Sequence, residues 1–260
     1  MKKSVLVFLL IVSYFLPVSY GQGPDPKDHV FNIKLPNAIR GEMITLTTKD
    51  DALFQAYQIL SKTPSESSIL LIHEWWGLND HMKSTADQLA LLGYNALVVD
   101  LFDSKVTSDP NEASKLIQNV KLEEAQKKVE AALDYLALKS KKIGVMGWCF
   151  GGGWALKASL ARPRLVQATV IYYGELITEP KELQKLKGPV LGIFAKQDKW
   201  IVPQWVESFK LALEKAGVLN EIYSYDADHA FANPSNKHFN EADYRDAWAK
   251  TLEFLKKNLK

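Results

Sequence analysis

Cys149 is the only cysteine in the chain, and it stands midway between Gly147 and Gly151, after the apolar run 143–146 and before Gly152 and Gly153. Gly-x-nucleophile-x-Gly is the frame of a nucleophile elbow, here with Cys where Ser is usual. A strand turning this tightly into a helix leaves no room for Cβ atoms two residues to either side, which accounts for both glycines. The side chain between them stands at the helix N-terminus. There the helix dipole favours an anion, and the N–H of Phe150 points to where an acyl oxyanion would form. A lone cysteine can instead be a small buried hydrophobe, but the glycine frame weighs against that. A phosphate-cradling turn is the other reading of such a junction, yet neither Gly-x-Gly-x-x-Gly nor Gly-x-x-x-x-Gly-Lys-Ser/Thr occurs.

A thiol nucleophile needs a base, and the base a carboxylate to orient it; in hydrolases with this elbow both follow the nucleophile, acid first and His last. Asp198 comes just past the apolar run 190–194, and His229 just past the run 221–225. Both therefore fall at the C-terminal ends of strands, where sites in open α/β sheets gather. Asp226 and Asp228 compete with Asp198 because they are sequence neighbours of His229. Of the other histidines, His29 lies near the N-terminal tail, His73 and His81 precede the elbow, and His238 is in a polar loop. A metal site made of Asp226, Asp228, His229 and His238 matches no established ligand spacing.

The elements that must position these residues alternate along the chain. Residues 42–46 and 53–59 form a hairpin about Lys49-Asp50-Asp51, and 69–73 is a short buried strand. Asn79 opens a helix that ends at Gly93, and 96–101 is the next strand. Asp109-Pro110 starts one long amphipathic helix to about residue 138. Strands follow at 142–146, 166–172, 190–194 and 221–225, and helices at 152–161, 203–216 and 241–259. This alternation predicts an α/β fold: a mostly parallel central sheet with helices on both faces. No linker divides it, so residues 29–260 are expected to form a single domain.

The 47% hydrophobic and 24% charged content fits a globular protein and excludes disorder as the main description. Lys2 and Lys3, the apolar stretch 5–16 and the small residues Ser19 and Gly21 predict a signal peptide over 1–21, cut after Gly21. The apolar run is short of the roughly 20 residues a spanning helix needs. Residues 22–28 are expected to be a flexible tail, and the location periplasmic or secreted, with no stable membrane insertion after cleavage. Losing the leader leaves 30 basic against 30 acidic residues. With no basic stripe there is no case for nucleic acid, and a small-molecule partner is expected.

In Leu71-Ile72-His73-Glu74-Trp75-Trp76-Gly77-Leu78-Asn79, Val99-Asp100-Leu101-Phe102, Gly147-Trp148-Cys149-Phe150-Gly151-Gly152, Ala195-Lys196-Gln197-Asp198 and His229-Ala230-Phe231, the chain resembles the dienelactone hydrolase family of the α/β-hydrolase fold. The likeness runs from about Met43 onward. It implies a Cys149/Asp198/His229 triad, an oxyanion hole made by the backbone N–H groups of Phe150 and Trp75, and a Glu74 beside the thiol that influences its protonation. It implies no metal or organic cofactor. Members that cleave dienelactone hold its carboxylate with two arginines, and the corresponding positions here read Ser104, with Lys105 next to it, and Asn233. A bidentate arginine grip is not reproduced by one flexible lysine.

Six of the seven tryptophans, Trp75, Trp76, Trp148, Trp154, Trp200 and Trp205, fall in loops or turns expected near the pocket. Trp76, Trp148, Trp200 and Phe231, with Lys105, are the expected substrate-pocket residues. The expected activity is hydrolysis of an ester or lactone of a small, fairly apolar substrate through a thioester acyl-enzyme. The alternatives are a non-catalytic binding protein of the same fold, and a redox thiol, which would need an external thiol partner because there is no second cysteine.

Overall fold

The computed structural model describes residues 40–260. The expected leader, the tail, His29 and the first residues of the expected domain lie outside the described residues. Eight strands form one sheet in the order β1-β2-β4-β3-β5-β6-β7-β8. β1 (Glu42–Thr47) and β2 (Leu53–Ile59) make the expected hairpin, and β2 runs antiparallel to β4 (Asn95–Val99). From β4 the pairing is parallel through β3 (Ser67–Ile72), β5 (Lys142–Trp148), β6 (Val166–Tyr172), β7 (Val190–Ala195) and β8 (Asn220–Tyr225). β8 closes the sheet at one edge, and none of its six residues is fully buried.

Both faces of the inner strands are covered, which is why those strands read as continuous apolar runs rather than as alternations. On one face Ile69, Leu71, Val98 and Met146 pack with α1 (Asp80–Leu91) and α7 (Glu241–Leu259). On the other, Leu70, Ile72, Leu97 and Val145 pack with α3 (Leu122–Ala137) and α4 (Phe150–Ala161). Further along that side, Ile171 and Phe194 pack with α5 (Pro180–Leu183) and α6 (Pro203–Lys215). The architecture is the expected α/β-hydrolase fold.

Two boundaries differ from expectation in ways that matter for the site. The single helix expected from residue 110 to about 138 is two, α2 (Pro110–Gln118) and α3. Asn119 caps α2, the N–H of Val120 closes a tight turn on the carbonyl of Ile117 (3.1 Å), and Lys121 is extended at φ −78°. The break lets Ile117 and Val120 turn in against the core, an apolar gain that continuous helical periodicity would deny them. Secondly, β5 runs to Trp148 and α4 begins at Phe150, so Cys149 alone makes the corner between them.

Candidate active site

That corner is sterically closed. A Cβ on Gly147 would lie 2.1 Å from the carbonyl oxygen of Gly151, and one on Gly151 would lie 2.1 Å from that of Ile72 on β3. Cys149 adopts φ 51°, ψ −116°, backbone that a non-glycine residue holds only at a cost. Its N–H donates to the carbonyl of Tyr172 (2.9 Å), which ties the corner to β6. Phe150 is the first residue of α4, so its N–H is among those a helix leaves without an internal acceptor.

The loops after β7 and β8 bring two further groups to the sulfur. Asp198 is buried; its Oδ1 accepts from the N–H groups of Trp200 (2.8 Å) and Ile201 (3.0 Å). Its Oδ2 accepts from His229 Nδ1 at 2.6 Å, and His229 Nε2 lies 3.2 Å from Cys149 Sγ. Burial raises Asp198, but the bond and charge of His229 and the two backbone donors outweigh it and hold the carboxyl below its usual value. Burial opposes charge on His229 too, yet the charge of Cys149 and the hydrogen bonds and charge of Asp198 push it up to about 10. The competing carboxylates are engaged elsewhere. Asp226 accepts from Gln197 Nε2 (3.1 Å), and Asp228 pairs with His238 Nδ1 (3.3 Å).

His73, Glu74 and Trp75 follow directly from β3. His73 is fully buried; its Nε2 accepts the N–H of Leu101 (3.1 Å), so the ring proton is on Nδ1 and is donated to the carbonyl of Glu74 (2.6 Å). Burial lowers its pKa, leaving a neutral imidazole that braces the Glu74–Trp75 turn against the end of β4. Glu74 is buried in the cleft wall, accepting from Tyr173 Oη (3.3 Å) and from the side-chain amide of Asn233. Burial raises its carboxyl to about 7, with the charge of His229 and the two hydrogen bonds pulling the other way.

Around this centre lies a cleft of roughly 660 Å³ lined by Trp75, Trp76, Trp154, Trp200 and Trp205, of which Trp76 and Trp154 are almost wholly buried. Three expected pocket residues are elsewhere. Trp148, the last residue of β5, packs on Tyr172 in the core under α1 and α7 and does not line the cleft. Phe231 is fully buried between Tyr173 and Tyr225. Lys105 borders a separate hollow of roughly 70 Å³ with Phe102 and Lys128.

Sequence reasoning passed over Tyr173. It is buried at φ 36°, its ring lies 5.0 Å from that of His229, and its hydroxyl reaches Glu74. Burial and the Glu74 charge raise its pKa well above the usual value, so it remains a donor. The available signal was its position, one residue past an apolar strand and just before Gly174.

Residues 54–259 match the Dienelactone hydrolase family. The chain is 28% identical over 203 residues to "Protein usf" of Aquifex pyrophilus, covering 74% of this chain and 88% of that protein. It is also 28% identical over 253 residues to a protein named "Putative carboxymethylenebutenolidase" from Saccharolobus solfataricus, covering 80% and 95%. Among solved structures, a dienelactone hydrolase-like promiscuous phosphotriesterase from metagenomic libraries superposes with a TM-score of 0.74 at 20% identity, covering 85% of this chain and 99% of that one.

Proposed function

We propose that this chain, which belongs to the dienelactone hydrolase family and is a hydrolase of ester or lactone bonds, uses Cys149 as its nucleophile, His229 as its base and Asp198 as the carboxylate that orients His229. One observation carries the reading: the unbroken line Asp198 Oδ2, His229 Nδ1, His229 Nε2, Cys149 Sγ, with gaps of 2.6 and 3.2 Å.

In this reading His229 Nε2 takes the thiol proton, and the imidazolium formed is held by the charge left on the sulfur and by the Asp198 carboxylate. Sγ attacks the carbonyl carbon, and the oxyanion rests on the N–H groups of Phe150 and Trp75. As the tetrahedral species collapses, the C–O bond breaks and His229 returns the proton to the leaving alkoxide. A water deprotonated by His229 then attacks the thioester, and release of the acid restores the thiol. Asp198 holds the imidazole tautomer and stabilises the imidazolium without taking the proton. Glu74 sits close enough for its charge to act on His229 and so on the thiol–imidazole pair.

The cleft's aromatic lining supports a fairly apolar substrate. At the family's two arginine positions, Ser104 donates its N–H to Asp100 and Asn233 is bound to Glu74, so neither offers the bidentate grip a substrate carboxylate would take. The leader pattern supports export, and intact mass of the protein from its natural host tests the expected start at Gln22.

The deciding experiment is hydrolysis of p-nitrophenyl esters and simple lactones by wild type and Cys149→Ala, with mass-spectrometric trapping of the acyl-thioester. Turnover and an adduct on Cys149 that vanish together in the variant are expected. Turnover that survives the substitution would overturn the assignment.

A further inference from the structure

The cleft is larger than bond cleavage in a small lactone requires. A volume of roughly 660 Å³ is in the range that encloses a drug-sized ligand, and the apolar part of its lining has a direction. Phe150, Trp154 and Lys157 are spaced four and three apart on α4, so they stack along one face of the helix. At 1.5 Å per residue that face leads about 10 Å away from the corner where Cys149 stands. The rings of Phe150 and Trp154 are 6.3 Å apart, and the Lys157 ammonium lies 5.3 Å from the Trp154 ring centre. Lys157 is in turn paired with Glu175 at 2.6 Å.

The corner between α2 and α3 supplies more apolar wall. Ile117 and Val120 are partly buried on the same core cluster as Trp154 and Phe150, and Leu122 stands at the rim, 65% exposed. All three line the cleft. The result is an apolar strip of the cleft wall that starts beside the nucleophile and ends at the solvent-exposed Lys157–Glu175 pair. Along that strip a hydrocarbon or aryl group leaves water for apolar surface, whereas a charged group would be desolvated beside Phe150 and Ile117 with no partner for its charge.

We infer that the substrate is an ester carrying an uncharged, elongated apolar arm, medium-chain or two-ring aromatic, that lies along the Phe150–Trp154–Lys157 face of α4 beneath the Ile117–Val120 corner. The inference rests on the hydrolase reading of Cys149 and gives it a substrate class. It also makes Val120 a specificity-determining residue.

The test uses two ester series, p-nitrophenyl acylates from acetate to dodecanoate and alkyl acetates of matching length, because either side of the carbonyl can carry the arm. In one series kcat/KM of the wild type is expected to rise roughly fourfold per added methylene up to about octyl and then level off. In Val120→Asp the octyl-to-methyl ratio of kcat/KM falls at least tenfold, and in Val120→Trp the plateau moves to shorter chains. Circular dichroism and Tm verify that the variants fold, and Leu122→Asp, at an exposed position, replaces Val120→Asp if that variant does not. A flat wild-type profile in both series, or ratios that the variants leave unchanged, overturns the inference. If the wild type cleaves no ester at all, the hydrolase reading fails by itself. The arm is then read from quenching of tryptophan fluorescence by octyl methyl ketone: saturable quenching lost in Val120→Asp supports it, and no saturable quenching overturns it.

Discussion

The side-chain amide of Asn233 is bonded to the carboxylate of Glu74, a residue 159 positions away that lines the reaction cleft. Asn233 is itself fixed, since its Oδ1 accepts from both the N–H (2.9 Å) and the hydroxyl (2.6 Å) of Ser235. With Tyr173 on the other carboxylate oxygen, Glu74 is held by donors on two sides, so its protonation state is set from within the fold.

Asp198→Asn tests the orienting carboxylate. The amide can still accept the N–H groups of Trp200 and Ile201, so the loop keeps its shape, but it favours the wrong imidazole tautomer. A fall in kcat of roughly 10³- to 10⁴-fold is expected with Tm little changed. Steady-state kinetics beside a melting curve checks both.

Cys149→Ala should change the titration of His229. The charge of Cys149 is the largest of the influences that raise this imidazole to about 10, and burial then meets less opposition. Following the imidazole proton resonance by NMR, we expect the pKa to fall by about one unit or more. An unchanged midpoint would remove the thiol as the cause.

Glu74→Gln should alter how stability depends on pH. The carboxyl rises from 4.5 to about 7 on folding, so the folded protein binds the proton more tightly than the unfolded chain. The stabilisation is complete below pH 4.5 and is lost as pH rises through about 7, at no more than about 1.4 kcal/mol per pH unit. The Tm of Glu74→Gln should gain on that of wild type from pH 5 to pH 8. A constant difference across that range would contradict the buried carboxyl's role.

Gly151→Ala places a Cβ against the carbonyl of Ile72, where rigid backbone cannot yield. A loss of more than about 3 kcal/mol, or loss of soluble protein, is expected. Gly217, at φ 70° with open space around it, is the control: Ala there should cost only about 1 kcal/mol. Urea midpoints compare the two.

Much of this was legible because regular elements leave strong periodic traces. β2, β6 and α7 have the expected bounds, and Cys149, Asp198 and His229 meet as their order and strand-end positions imply. The break between α2 and α3 was hidden because Asn119, Val120 and Lys121 include no Gly or Pro and the apolar pattern runs through them. Trp148 and Phe231 were misplaced for a different reason. Nearness in sequence to a reacting residue says nothing about which side of the sheet a ring takes, and both rings take the core. Tyr173 went unseen because its importance lies in a left-handed backbone angle and a partner 99 residues away.

His229 is carried by the loop after β8, the edge strand paired only to β7, whereas Cys149 and Asp198 follow strands paired on both sides. The proposed Asp198–His229–Cys149 relay therefore crosses the β7–β8 seam at the edge of the sheet. Under the proposed function, fraying there would take the imidazole from its carboxylate and its sulfur while the inner strands stay paired, and turnover would report that subglobal opening. In urea below the main transition, activity should vanish while far-ultraviolet circular dichroism persists, and amide exchange in 220–225 should outpace that in 143–148.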